Sequence, residues 1–337
     1  CPDSLFSALS IRHHAYPDKE GSPGMSNLRV LCLETTRECN LQCKYCSAYS
    51  IKEEGQELTL GEEFSLIDET SSFAKPLVLF TGGEPLMRED IFELAEYCWQ
   101  KGLPVGVGTN GTLITGDKAR KLKEAHVYRV AIDLDGASAE IHNSLRGGFD
   151  DALRGIKCCQ EEGLSVQVNS VITDINKDEM PALLEFIQEL RVDAWHVFFL
   201  VPTKSFPEGY MLSPEQYEVA LKWLSEKRGE VNVEIAATCA PQYLRFFGEV
   251  TRGEWKVARG CSAGISFVFV SHRGNIYPCD HLPISTGNIR ERRFKDIWSN
   301  SEIFENLRDF GKLKGKCGIC KYKTVSYTHL RAHETSL

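Results

Sequence analysis

The chain has no run of about 18 or more apolar residues, so no segment is long enough to be a membrane-spanning helix. It also lacks a basic stretch followed by an apolar one near its start, so export is not expected and the cytoplasm is the expected compartment. Positive charge is in short supply: 39 Lys and Arg face 47 Asp and Glu, a formal charge of −8. An acidic surface of that kind excludes nucleic acid and anionic membrane as expected partners. Internal repeats, low-complexity segments and long linkers are missing too. What remains is 42% hydrophobic and 26% charged over 337 residues, the make-up of a globular protein with a large core. That length suits one big domain with a smaller appendage.

Cysteine, by contrast, is plentiful, with 13 in the chain. A chain of this size with no export signal needs no disulfide staples, so clustered cysteines read as metal ligands. Cys39, Cys43 and Cys46 cluster near the front, and Cys261, Cys279, Cys317 and Cys320 near the end. Cys1, Cys32, Cys98, Cys158 and Cys159 follow no such pattern and are expected to be small buried hydrophobes. Cys1 stands where an initiator Met would, which suggests a processed or partial reading frame. Residues 326–337 do not continue the preceding pattern and resemble translated sequencing-adapter sequence, so a non-native tail is expected there.

Short apolar runs at 29–34, 77–81, 104–109, 127–133, 165–172 and 194–200 alternate with amphipathic stretches at 62–73, 89–100, 117–124, 149–161 and 177–190. Six β/α units in series, with strands reading as near-continuous apolar residues, predict an α/β fold of parallel strands buried on both faces. Right-handed crossovers curl such a series into a doubly wound sheet or an open barrel, with functional groups at the C-terminal strand ends. The sequence agrees, since a cysteine motif, TGGEP, GTNG and DLDG follow the first four runs. Beyond Pro202 the pattern changes to a helix at 214–226, a strand at 231–235, a hairpin at 266–270 and 275–277, and a helix at 294–308. The expected division is an extension (1–27), an α/β domain (28–230), a cysteine-containing domain (231–325) and the tail (326–337).

Cys39, Cys43 and Cys46 form a C-x3-C-x2-C loop. Three thiolates on so short a loop suit three irons of a [4Fe–4S] cubane and leave the fourth iron open. A zinc loop is the alternative, although structural zinc usually takes four ligands. The motif and its place after the first strand resemble the radical SAM superfamily over residues 28–325, which implies a partial (β/α)6 barrel. The resemblance implies that the open iron chelates S-adenosylmethionine (SAM), whose reductive cleavage releases a 5′-deoxyadenosyl radical. It places Tyr45 near the adenine and assigns Gly82, Gly83, Glu84 and Pro85, a GGEP segment, to the SAM amino group. Asn110 and Asn169 join the SAM-binding set, and Arg146 is assigned to the SAM carboxylate. Asp133 stands where relatives often have Ser, so that position carries no role. An electron donor such as ferredoxin or flavodoxin is implied.

The second set, Cys261-x12-Gly274-x4-Cys279 followed by Cys317-x2-Cys320, resembles the SPASM extension, which binds auxiliary iron–sulfur clusters. The next cysteine of that pattern would fall at Ser326, where the tail begins. Cys239 reads equally well as a further ligand or a buried thiol, and zinc remains an alternative for the set. FAKPLVLFTGGEPLMREDIFELA, AWHVFFLVPT, TCAP and VSHRGNIYPCDHLP resemble the haem b synthases of the sirohaem-derived haem pathway. That resemblance implies a tetrapyrrole substrate, iron-coproporphyrin III, whose two propionates are decarboxylated to vinyl groups. Trp195, Phe198, Phe199 and Tyr243 are candidate pocket walls; His196, His272 and His281 are candidate iron or propionate ligands, and Arg245 a carboxylate partner. Three other readings stay open: a peptide- or protein-modifying SPASM enzyme, another tetrapyrrole side-chain enzyme, and a zinc-stabilised binding module.

Overall fold

The computed structural model describes residues 28–46, 53–201, 209–248 and 260–319. The expectations for Cys1, Cys320 and residues 326–337 lie outside these, and of Cys317 only the main chain is described. Strands β1 (Val30–Thr36), β2 (Leu77–Gly82), β3 (Val105–Thr109), β4 (Arg129–Asp133), β5 (Ser165–Ile172) and β6 (Ala194–Phe199) lie side by side in chain order, every pair parallel. Between them run α1 (Leu60–Phe73), α2 (Ile91–Gln100), α3 (Gly116–Glu124), α4 (Ala139–Leu145), α5 (Phe149–Glu161) and α6 (Met180–Leu190). The six runs and five helical stretches read from the sequence all appear, with ends shifted by up to three residues; the first three of 177–190 form a separate 3-10 turn. Helix α4 was not anticipated: it is a short helix started by Ser138, whose hydroxyl accepts from Ile141 N.

β1, β3 and β4 are buried on both faces as the apolar runs implied, whereas β2, β5 and β6 are buried mainly on one. In β5 burial alternates strictly, with Val166, Val168, Ser170 and Ile172 buried and Ser165, Gln167, Asn169 and Val171 half-buried. The buried valines and isoleucine join one large core with Phe80, Ile91, Leu94, Ile156 and Leu183, the side covered by helices. The opposite face carries Glu34, Asn169 and His196, so it lines a polar interior rather than a second packed layer.

The C-terminal residues build onto this same sheet. After α7 (Pro214–Lys227), β7 (Glu234–Thr238) pairs parallel with β6. β8 (Phe267–Val270) pairs parallel with β1 on the other margin. β9 (Asn275–Tyr277) and β10 (Gly287–Asn288) continue antiparallel, giving the order β10-β9-β8-β1-β2-β3-β4-β5-β6-β7. β7 starts later than the apolar run at 231–235 because pairing with β6 begins where Glu234 N donates to Asp193 O (3.1 Å). The single helix expected at 294–308 is two, α8 (Phe294–Asn300) and α9 (Glu302–Arg308), broken by extended Ser301. Both are amphipathic, so the apolar pattern runs through the break. Glu69 of α1 accepts from Phe294 N (2.8 Å) and Lys295 N (3.2 Å), capping α8 and tying it to the barrel.

A buried ion pair locks the start of α1 to the strand ends. Arg88 donates to both oxygens of Glu63 (2.7 and 2.8 Å) and to Thr35 O (2.7 Å). Burial pushes the Glu63 carboxyl up to about 7, against the pull of Arg88. Replacing Arg88 by Met strands that carboxylate and should cost about 3–5 kcal/mol in urea unfolding. Adding Glu63→Met should recover most of the loss, whereas a pair that is itself strongly stabilising would leave the double variant as weak as the single one.

Candidate active site

The cysteine loop leaves β1 and is held by the end of β2. Gly83 N donates to Thr36 O (2.8 Å) and Glu84 N to Glu38 O (2.7 Å). A Cβ on Gly82, whose φ is +154°, would lie 2.2 Å from Thr36 O, and one on Gly83 2.1 Å from Glu38 O. These glycines therefore serve an approach of the chain to itself, at the root of the cysteine loop. The far side of the loop is tied by Lys44 N donating to Leu145 O (3.0 Å). Cys39 is exposed and Cys43 and Cys46 are half-buried, and no cysteine among the described residues forms a disulfide. Three thiols with no histidine or carboxylate among them fit an iron–sulfur cluster open to a ligand.

Glu84 is fully buried, and its carboxylate takes Leu86 N (3.0 Å), Thr109 Oγ1 (2.7 Å) and Asn110 N (2.8 Å). Burial raises its pKa despite those donors. It joins the end of β2 to the end of β3. Pro85 is buried at the first turn that follows. Asn110 Nδ2 in turn donates to Asn40 Oδ1 (2.9 Å), and Asn40 Nδ2 to Thr112 Oγ1 (2.8 Å), so the loop is tethered to β3 as well.

At the end of β4 lies a buried charge knot that the sequence signalled only in part. Arg146 donates through Nη1 to Asp133 (2.6 Å), through Nε to Asp135 (3.0 Å) and through Nη2 to the Tyr45 hydroxyl (2.7 Å). Tyr45 donates to Asp135, and the guanidinium lies 5.4 Å from its ring centre. Asn169 pairs with Asp133 in register and also bonds its carboxylate. Asp135 N donates to His142 Nδ1 (3.1 Å), so Nε2 carries the proton given to Gly147 O (3.0 Å). Burial lifts the Cys43 thiol to about 11, and Arg146 pulls the other way. Tyr45, Asn169 and Arg146, three of the residues singled out from sequence, thus meet beside a cluster cysteine. Arg146 spends all three of its nitrogens on protein partners.

A second group of thiols lies where the two sides of the sheet approach each other. Burial raises the Cys279 thiol, and Asp280, Cys261 and Cys239 add to the rise. Cys239 follows β7 while Cys261 and Cys279 flank the β8–β9 hairpin, so the sheet curls until its two margins face each other at these cysteines. Cys239 holds a left-handed backbone (φ 58°), unusual outside glycine. It is half-buried and lies within electrostatic reach of Cys261 and Cys279.

Three candidate pocket walls belong elsewhere. Trp195 is fully buried, donates to Ser170 Oγ (2.9 Å) and packs edge-on against Trp223. Phe199 packs against Tyr217, and Tyr243 donates to Leu224 O (3.3 Å), so all three fill the layer between sheet and α7. Only Phe198 and His196, at alternate positions of β6, stay half-buried on the other face. Arg245 pairs with Glu218 (2.5 Å), His272 with Glu34 (2.6 Å), and His281 lies 3.7 Å from Asp280.

Gly83→Ala should force the cysteine loop away and cost at least about 1–3 kcal/mol. Iron and labile sulfide after anaerobic reconstitution should fall far below those of the parent; equal content would show that the contact is dispensable. Burial and Asp135 lift Asp133 to about 6, with Arg146 opposing. A carboxyl whose folded pKa is raised binds protons more tightly when folded, so it lowers stability as pH rises from about 4 to 6. Asp133→Asn should therefore gain on the parent across that window in urea unfolding and run parallel to it above.

Comparison with known proteins agrees with this geometry. Residues 33–187 match the model of the radical SAM superfamily and residues 261–321 that of an iron–sulfur cluster-binding domain, SPASM. A protein of Methanosarcina barkeri named AdoMet-dependent heme synthase is 41% identical over 312 residues, covering 88% of this chain and 89% of the relative. One of the same name from Oleidesulfovibrio alaskensis is 37% identical, covering 91% and 83%. The fold matches the crystal structure of Streptococcus suis SuiB bound to S-adenosylmethionine, with a TM-score of 0.72 at 18% identity over 89% of this chain and 72% of that one. A [4Fe–4S] cluster, SAM and auxiliary iron–sulfur chemistry come with the two matched domains. The chain belongs to the radical SAM superfamily, as an enzyme that carries the SPASM extension.

Proposed function

We propose that the enzyme oxidatively decarboxylates two propionates of iron-coproporphyrin III to the vinyl groups of haem b. The observation that carries this reading is the 41% identity to a protein named AdoMet-dependent heme synthase, spread over 88% of the chain rather than confined to the cysteine motif. Cys39, Cys43 and Cys46 would hold the catalytic cluster. When bound, that cluster and SAM supply a carbon radical able to take hydrogen from an unactivated C–H bond.

The chain's own residues hold and orient. Gly82, Gly83, Glu84 and Pro85 would present main-chain groups to the SAM amino end, with the Glu84 carboxylate bracing them from behind. Asn110, Asn169 and Tyr45 would line the remainder of SAM. Arg146 keeps Tyr45 in place and sets a positive charge beside the thiolates of an anionic cluster. The half-buried inner face with His196 and Phe198 offers the substrate a polar and an aromatic contact. Each propionate loses a hydrogen atom, CO2 and one electron, so the reaction needs an electron exit. Cys239, Cys261 and Cys279, with Cys317 and Cys320 from the sequence pattern, would hold an auxiliary cluster suited to that task. A reduced ferredoxin or flavodoxin would supply the electrons for SAM cleavage.

The test is anaerobic incubation of the reconstituted enzyme with SAM, reductant and iron-coproporphyrin III. Mass spectrometry should show the loss of CO2 and two hydrogens at each of two propionates, with one 5′-deoxyadenosine formed per vinyl group. Cys43→Ala should abolish both products. An unchanged porphyrin beside steady 5′-deoxyadenosine formation would overturn the substrate while leaving the radical chemistry intact.

A further inference from the structure

Where the cysteine loop, the segment before α1 and the β8–β9 hairpin meet, three ionisable side chains converge without any cysteine. Glu34 lies in β1, His272 sits in the turn after β8, and Glu53 precedes α1. Their side chains are 4%, 2% and 3% exposed. His272 Nδ1 lies 2.6 Å from Glu34 Oε2 and 3.7 Å from Glu53 Oε2. One ligand atom from each lies within 4.8 Å of the other two.

The hydrogen bonds around the group are complete except at its centre. Arg37 occupies Glu34 Oε1 (3.2 and 3.0 Å) and reaches Oε2 (3.1 Å), and His272 N also donates to Oε2 (3.1 Å). Glu53 Oε1 accepts from Tyr277 (2.7 Å) and Asn275 (3.1 Å). Glu53 Oε2 is buried and accepts from nothing, although it points at His272. A single proton on Nδ1 serves one of the two facing carboxylates, and at 2.6 Å it serves Glu34. The other oxygen is left with a desolvation penalty of about 1–3 kcal/mol or more. A cation set among the three atoms would remove it.

We propose that Glu34, Glu53 and His272 form a divalent transition-metal site separate from the iron–sulfur clusters. Metal–ligand bonds of about 2.0–2.2 Å place neighbouring ligand atoms roughly 3–3.5 Å apart, between the two distances seen here. One imidazole nitrogen with two carboxylates favours Zn2+, Fe2+ or Mn2+ over Ca2+ or Mg2+, which prefer oxygen alone. The ion would fasten the hairpin of the C-terminal domain to the strand that launches the cysteine loop.

Mn2+ titrated into the anaerobic, cluster-loaded enzyme after brief chelation is read by the EPR signal of unbound Mn2+. The expected result is a single tight equivalent per chain, displaced by Zn2+, with affinity lowered about tenfold or more in Glu53→Gln. Glu62→Gln, a surface carboxylate variant, should bind as the parent does. No Mn2+ or Zn2+ bound by the intact parent overturns the site, as does equal binding by a Glu53→Gln protein with parental labile sulfide. If Glu53→Gln fails to load its clusters, the parent titration still decides, together with a Mn2+-dependent rise in the parent's thermal midpoint that the site requires.

Discussion

The place where a side chain on Gly83 would stand is filled by the carbonyl of Glu38, 2.1 Å from an ideal Cβ. That contact fixes how the chain leaves β1, and the cluster cysteines follow within the next few residues. From it a line of bonds runs across three strand ends. Gly83 and Glu84 hold the loop through their amides, Glu84 reaches β3 through its carboxylate, and Asn110 returns to Asn40 in the loop. The loop is thereby tied to β2 and β3 before any cofactor arrives. Pre-ordering of this kind limits the entropy lost when three thiols must converge on one cluster.

Beside that framework, Arg146 solves an electrostatic problem. Two aspartates at one strand end would repel, and desolvation penalises each further. A guanidinium with a donor for each carboxylate, and a third for Tyr45, converts the repulsion into a rigid group. For Asp133 the attraction only partly offsets the hydration lost on burial, which is why its carboxyl stays above the usual carboxylate range. The result is a positive charge next to Cys43 and a bond that anchors Tyr45, a residue of the cysteine loop itself, to the end of β4.

Much of this was legible in the sequence because it depends on local signals. The parallel strands announce themselves as apolar runs and the cysteine loop as a spacing, whereas the resemblance points to Tyr45, Asn169 and Arg146 for SAM and not for the bonds that gather them around Asp133 and Asp135. What failed to show depends on contacts distant in sequence. Trp195 and Phe199 look like pocket aromatics, yet strand alternation turns them toward α7, and only the register with β5 and β7 settles which face is which. The Arg146 knot joins residues 101 apart to Tyr45, a separation no local pattern encodes. Glu34 and His272 come together because β8 joins β1, a pairing that periodicity does not reveal. Ser301 interrupts a helix without glycine or proline, so nothing in the pattern of α8 and α9 marks the break.

The C-terminal region is better understood as part of the barrel than as an attachment to it. β7 and β8 extend the two margins of one sheet, and the described residues show no backbone pairing across the seam between them. Cys239 on one side and Cys261 and Cys279 on the other come within electrostatic reach of one another there. Buried thiols with Asp280 among them raise one another's pKa, so the seam resists ionisation while no cation is present. Iron held by these cysteines would reverse that balance, because it would neutralise the charge of their thiolates. Closure of the barrel at this seam would then be coupled to assembly of an auxiliary centre held by these cysteines.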